Sequence, residues 1–315
     1  MTSLGRIRVG TSGWSYPTGR GTWNGIFYPA AARGGARKRR GRFDELAYYA
    51  EHFDTVEVNS SFYRPPTPAM ARSWVSRTPP GFEFSLKLHQ RFTHPDMFER
   101  AAGEGSWTVR PKDLDEFRIA LEPITRAGKL GALLAQFPPS FSASDVARDY
   151  LRWLLEAFRD YPLAVELRHR SWSDDRRTTL EALNEYGAAW VQIDEPKFGF
   201  SIRQDFQANV PGCYYMRLHG RNAEKWWRHA AAEERYDYLY SAEELKPFAQ
   251  AVLDASRMAR KLYAYMNNHF AAKAVANAVI LKRQLGQPVE GEFPPEFAAR
   301  YPEVAGIVAT SPSLL

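Results

Sequence analysis

The chain has 315 residues, 44% of them hydrophobic and 25% charged, a net charge of +6 and a single cysteine, Cys213. That composition is ordinary for a globular protein and excludes collagen-like, disordered and repetitive classes, while one cysteine excludes an internal disulfide framework and a cysteine-based zinc site. No apolar leader precedes Arg6 and Arg8, and no run approaches the roughly 18 apolar residues of a membrane helix, so a cytoplasmic, soluble protein is expected.

In chain order, runs of β-forming residues occur at Ile7–Ser12, Thr55–Asn59, Phe82–Lys87, Gly131–Gln136, Leu163–Arg168, Ala188–Asp194, Cys213–His219 and Leu262–Asn268. Helical patterns separate most of them. Phe43, Leu46, Ala50 and Phe53 have helical spacing. Thr67-Pro68 reads as a cap followed by a first-turn proline. Leu114, Phe117, Leu121 and Ile124 form a stripe interrupted by Pro123, and Ser144 caps a stripe of Val146, Tyr150, Leu154 and Phe158. Residues 174–186 form a helix stopped by Gly187. Ser241 and Glu244 make a capping box, and a last helix spans Ala271 to Leu285. Residues 195–212 show no helical stripe and are expected to be irregular.

Eight strands alternating with helices predict one domain, a TIM (β/α)8 barrel, spanning residues 1–315 with a C-terminal extension over 287–315. Aligning the strands by their alternation puts Glu57, Asn59, Ser85, Lys87, Gln136, Glu166, Arg168, Gln192, Asp194, Arg217, His219 and Asn268 in one inward phase. Apolar residues such as Val56, Val58, Leu133 and Val165 fall in the other. Polar residues at the C-terminal ends of barrel strands form the wall of an active-site pocket. The alternative is a buried ion network that only ties the strands together, at a cost of several kcal/mol per ion unless each is paired.

Glu166, Glu57, His219 and Asp194 are the candidate catalytic groups, with Glu166 or Glu57 as general base and His219 as acid or base near neutral pH. Lys87, Arg168 and Arg217 converge as anion ligands, since guanidinium forks suit phosphate and carboxylate. Asn59, Gln136 and Asn268 are placed to orient hydroxyls or an oxyanion. Trp14, Tyr16, Tyr63 and Trp172 belong to an aromatic rim that also holds Trp23, Phe62, Trp226, Trp227, Tyr236 and Tyr238; such a rim either stacks on a base or sugar or simply closes the top of the fold. The stretch HGRNAEKWWRH, residues 219–229, reads as a lid. Metal is a lesser reading: His169, His219 and His269 follow strands near the carboxylates, but no metal-binding spacing is present, and His169 and His269 are out of phase with His219. No cofactor is expected, and Cys213 is read as a packing residue.

Residues 33–42, RGGARKRRGR, hold six basic and no acidic side chains; without them the net charge is 6 − 6 = 0. This block reads as a solvated insertion or as a nucleic-acid contact. In the second case each duplex-phosphate contact contributes a salt slope of about −0.9.

The segments VGTSGWSY, LAYYAEHFDTVEVNSSFYR, FEFSLKLHQRFTH, LGALLAQFPPSF, AVELRHRSW, YYMRLHGRN and YAYMNNHF together resemble the YecE-like family, domain of unknown function 72, over roughly residues 6–286. The resemblance implies a TIM barrel and no particular chemistry. A looser likeness to endonuclease IV and xylose-isomerase-like enzymes is fold analogy. The residues themselves point to general acid–base chemistry, by a hydrolase or isomerase, on a small phosphate-bearing sugar or nucleotide. The competing functions are nucleic-acid binding or processing and non-catalytic anion binding.

Overall fold

The computed structural model describes residues 4–29, 43–94, 109–227 and 232–311; the basic block 33–42 and lid positions 228–229 lie outside them. Among the described residues nine strands run parallel in two sheets, and Glu292–Phe293 and Ala309–Thr310 make a separate parallel pair. One has the order β1 (Arg6–Thr11), β9 (Lys261–Met266), β8 (Cys213–Leu218), β7 (Gln192–Asp194); the other runs β2 (Thr55–Val58), β3 (Glu83–Lys87), β4 (Leu130–Gln136), β5 (Leu163–Glu166), β6 (Ala189–Trp190). A parallel bridge joins Ser12, just past β1, to Glu57 of β2. Only Val191 separates β6 from β7.

Helix starts follow local chemistry. The carboxylate of Asp44 accepts from the amides of Leu46 and Ala47 at the head of α1 (Glu45–Ala50), and Thr67 caps α2 (Pro68–Ser76), which carries proline where no amide donor is needed. Pro111 likewise opens α3 (Pro111–Arg126), which accommodates Pro123. Ser144 caps α4 (Asp145–Ala157), and the Ser241–Glu244 capping box opens α6 (Ala242–Ala255). Three predicted helices are shorter than the periodicity implies, and α1 leaves Phe43 and Phe53 outside it. Residues 174–186 resolve into a single turn, Ser171–Asp174, followed by α5 (Arg176–Glu185). The last helix, α7 (Lys273–Gln284), starts late because Ala271 and Ala272 both have positive φ.

Alternate strand residues such as Val56, Leu86, Leu133 and Val165 join the apolar core. The other alternates meet between the two sheets in polar layers. At the N-terminal ends Glu83 pairs with Arg8 at 3.2 Å and Lys261 at 2.9 Å and accepts from Tyr263. One layer up, the Tyr265 hydroxyl bonds Thr55 Oγ1 at 2.6 Å and Ser85 Oγ at 2.9 Å. The next layer holds Glu57, Tyr215 and Arg217.

Residues 195–212 contain no helix or strand, as expected, and this segment corrects the phase assigned to its strand. Gln192 and Asp194 do not join the polar layers. Gln192 accepts from the Phe206 amide at 3.0 Å, and Gln204 in turn accepts from the Ile193 amide at 2.9 Å. An irregular segment leaves backbone donors and acceptors that need polar partners, so here the outward alternates of the strand are polar. Asp194 accepts from Arg221 Nε at 2.8 Å and the Tyr240 hydroxyl at 2.7 Å, fastening the segment after β8. Asn268 is also displaced from its expected place. It donates to Asn277 of α7 at 2.7 Å and to the Tyr238 carbonyl, and Asn267 takes the position expected for it.

Tyr240 also accepts from the Gly220 amide at 2.8 Å. Gly220 needs its lack of a side chain: φ is +88°, and a Cβ would sit 2.7 Å from Tyr238 Cβ. Tyr240→Phe should cost about 1–3 kcal/mol, because a buried amide loses its acceptor and Asp194 loses a donor. Urea unfolding measures this, and an unchanged midpoint would mean that these bonds are replaced by water.

Candidate functional site

The C-terminal ends of β2, β4, β5 and β8 bring four side chains into one network. Arg217 is 1% exposed, and Glu57 and Glu166 are fully buried. Arg217 donates from Nε to Glu57 Oε2 at 2.9 Å and from Nη2 to Oε1 at 2.7 Å, a bidentate fork. Its Nη1 reaches Glu166 Oε2 at 2.5 Å and Gln136 Oε1 at 3.0 Å. Tyr215 donates a further bond to Glu57 at 2.7 Å. Arg168, two residues past Glu166, turns back so that Nε lies 2.7 Å and Nη2 2.6 Å from Glu166 Oε1. The other arm of Arg168 is 3.3 Å from Glu195.

Burial pushes the Glu166 carboxyl up, but Arg217 and Arg168 more than offset it and hold it well below the usual carboxylate range. Burial pushes Glu195 up, with Arg168 opposing. His219 sits behind this cluster, fully buried, with Nδ1 2.8 Å from Asn267 and Nε2 3.6 Å from Glu166. Burial and the adjacent Arg217 lower its pKa to about 3, so its imidazole is neutral at physiological pH.

Above the network opens a cavity of about 400 Å³, walled in part by Asn59, Lys87, Gln136, Arg168, Arg217 and Asn267. Aromatic rings and histidines complete it, among them Tyr16, Tyr63, Trp226 and Tyr236. Tyr16 stacks on His269 with ring centroids 4.3 Å apart and donates to the Ser12 carbonyl. The cations thus face the cavity while Glu57 and Glu166 lie beneath and fix them.

Lys87 differs from the two arginines. Its Nζ lies 3.9 Å above the Phe62 ring centre, and among the described residues no carboxylate pairs with it. Burial and the nearby Arg217 lower its pKa to about 7. His94 is pushed to about 3 by burial and by Lys87 itself.

Of the residues expected at the site, Glu57, Gln136, Glu166, Arg168, Arg217 and His219 form the network, and Asn59, Lys87, Tyr16 and Tyr63 line the cavity. Four lie elsewhere. Asp194 and Asn268 serve the outer segments. Trp14 packs edge-on against Trp74 at 5.6 Å. Trp172 is buried, stacks on Phe141 and donates to its carbonyl at 2.7 Å. These two indoles have helix and loop partners that complete their packing, so they do not reach the cavity.

The alternation missed Glu195, although residues 191, 193 and 195 share a phase. It also missed Asn267, which falls in the other phase of its strand, and His94 and Arg235, which carry no strand pattern of their own, while Tyr236, expected at the aromatic rim, lines the cavity. His169 bonds Ser171 Oγ at 2.8 Å. Among the described residues no three histidine, cysteine or carboxylate side chains are grouped to hold a metal ion, and none of the helices is long and apolar enough to cross a membrane.

This architecture recurs in solved structures. A DUF72 family protein from Thermotoga maritima MSB8 is 34% identical and superposes with a TM-score of 0.73, covering 89% of this chain and 99% of that one. A DUF72 family protein from Enterococcus faecalis V583 gives the same score at 25% identity, covering 89% and 96%. By sequence, the UPF0759 protein YunF of Bacillus subtilis is 29% identical over 282 residues, 86% of this chain and 92% of its own length. The UPF0759 protein YecE of Escherichia coli K12 is 24% identical over 153 residues, about half of either chain. The family model described as "Protein of unknown function DUF72" matches residues 8–300, so the match includes part of the segment after Gly286, and the chain belongs to that family.

Proposed function

We propose that the two sheets form one eight-stranded TIM barrel, with β6 and β7 as a single strand interrupted at Val191, and that its C-terminal mouth binds a small anionic substrate and acts on it by proton transfer. The Ser12–Glu57 bridge supports closure between β1 and β2, and catalytic groups of such barrels collect at this end.

The observation that carries the functional reading is Lys87. The donors of Arg217 and Arg168 are largely taken up by Glu57, Glu166 and Glu195, whereas Lys87 lines the cavity with its ammonium over the Phe62 ring and, among the described residues, in no salt bridge. A pocket that builds cations over buried carboxylates and, among the described residues, gives one ammonium no salt bridge favours an anion above that ammonium. Lys87 also titrates near neutral pH, where a group that gives and takes protons is most effective. Glu166 and His219 do not, the first held ionised and the second held neutral.

Crystals soaked in sulfate or phosphate test this reading. An anion within hydrogen-bond distance of Lys87 Nζ is the expected result. Anions bound only at other places, with the mouth empty, would overturn it.

A further inference from the structure

We propose that Lys87 is an imine-forming amine, and that the substrate carries an aldehyde or ketone carbon which Lys87 Nζ attacks. This deepens the reading of the mouth as an anion site and rests on it only for the substrate's anionic group: the neutral fraction of Lys87 attacks, and the protonated imine that forms restores the positive charge beside that group.

Two features of the geometry, and the electrostatic setting that goes with them, support the assignment. Lys87 is the last residue of β3, so a rigid strand positions the base of its side chain. Lys87 lines a cavity large enough for a small metabolite, and its Nζ is held over the Phe62 ring, with no salt bridge among the described residues. Desolvation beside other cations is the arrangement that leaves a lysine amine unprotonated and nucleophilic, and here burial and Arg217 bring its pKa to about 7. An ion-paired lysine would remain protonated and inert as a nucleophile.

The reaction balances with no further reagent. Neutral Nζ donates its lone pair to the carbonyl carbon, and the C–O π pair moves to oxygen, which takes up a proton as the nitrogen gives one up. The carbinolamine oxygen then takes a second proton and leaves as water while the nitrogen lone pair forms the C=N bond. The product is a protonated imine on Lys87, reached from neutral amine, carbonyl and one net proton. Asn59, Gln136 and Asn267 line the same cavity with amide groups suited to a carbonyl or carbinolamine oxygen. The neutral His94 imidazole lines the same cavity as a further hydrogen-bonding group.

Reductive trapping on the intact protein tests the assignment. The protein is incubated with glycolaldehyde phosphate, or separately with acetaldehyde, in the presence of sodium cyanoborohydride, and labelled lysines are located by peptide mass spectrometry. Lys87 is expected to label at least tenfold faster than exposed lysines such as Lys246, with its rate at half-maximum near pH 7, and Lys87→Met is expected to lose that adduct alone. Labelling of Lys87 no faster than Lys246 with either aldehyde would overturn the imine assignment, whether or not sulfate protects the site. Fast labelling by both aldehydes without protection by sulfate would keep the imine and remove the anion site. Protection by sulfate with fast labelling supports both.

Discussion

Replacing Glu166 by glutamine is expected to lower stability by about 3–5 kcal/mol, the cost of removing one partner from a buried ion pair. Glu166 is fully buried and receives both Arg168 and Arg217. Glutamine keeps the shape but leaves two guanidiniums to share Glu57 and Glu195. At on the order of 2–4 °C per kcal/mol, melting should fall by roughly 10 °C. Glu122→Gln, which breaks an ion pair with the highly exposed Arg126, is the control and should stay within about 0.5 kcal/mol.

The pH dependence has a definite sign. The folded pKa of Glu166 is depressed, so its contribution is fully present above the usual carboxylate pKa of about 4.3. It is lost as pH falls from there toward the folded value. Acid unfolding of Glu166→Gln should therefore be shallower than that of the parent. An unchanged or raised melting temperature would point the other way, to a carboxylate kept for chemistry at the expense of stability.

The network was legible because strand side chains alternate. Glu57, Glu166, Arg168 and Arg217 sit at matching places on three strands, and opposite charges at matching places meet. Asp194 and Asn268 show the limit of the same rule. A polar residue on the outward face reads like one on the inward face, and only what covers the strand separates them. Asp194 faces Arg221 and Tyr240, and Asn268 faces Asn277, partners 9 to 46 positions away in sequence.

The distinct state of Lys87 was hidden for a related reason. Strand alternation put Glu57, Glu166 and Asp194 in one phase with Lys87, Arg168, Arg217 and His219, all of similar standing. Which cation has no carboxylate partner among the described residues depends on side-chain reach: two arginines fork across the carboxylates while the lysine ends over Phe62. Glu195 was missed because it lies at the start of the irregular segment, where alternation was no longer followed.

Sulfate affinity should fall as pH rises through 7, and Lys87 should be the residue responsible. Sulfate does not titrate in this range, so any change in its affinity reports on the protein. Lys87 has a pKa of about 7 in the free protein, and a bound anion raises it by favouring the charged form. Affinity is then level well below pH 7 and approaches a tenfold loss per pH unit above it, until the pKa of the complex is reached. Removing a hydrogen bond to a charged group costs about 1.5–3 kcal/mol, or roughly 10–150-fold at about 1.4 kcal/mol per decade. Lys87→Met should bind sulfate that much more weakly below pH 7, with little pH dependence. Lys87→Arg, charged throughout, should bind with no step near pH 7. Stability should move the opposite way. The folded pKa of Lys87 lies below its unfolded value of about 10.4, so its charge is a cost that is full below pH 7 and vanishes as pH rises toward 10.4. Lys87→Met should be more stable than the parent at pH 6, by about 0.5–2 kcal/mol, with the gain shrinking toward pH 10. Calorimetric titration and thermal melting across this range measure both effects. A sulfate affinity that ignores both pH and residue 87 would place the anion away from Lys87 and remove the basis for a substrate at the mouth.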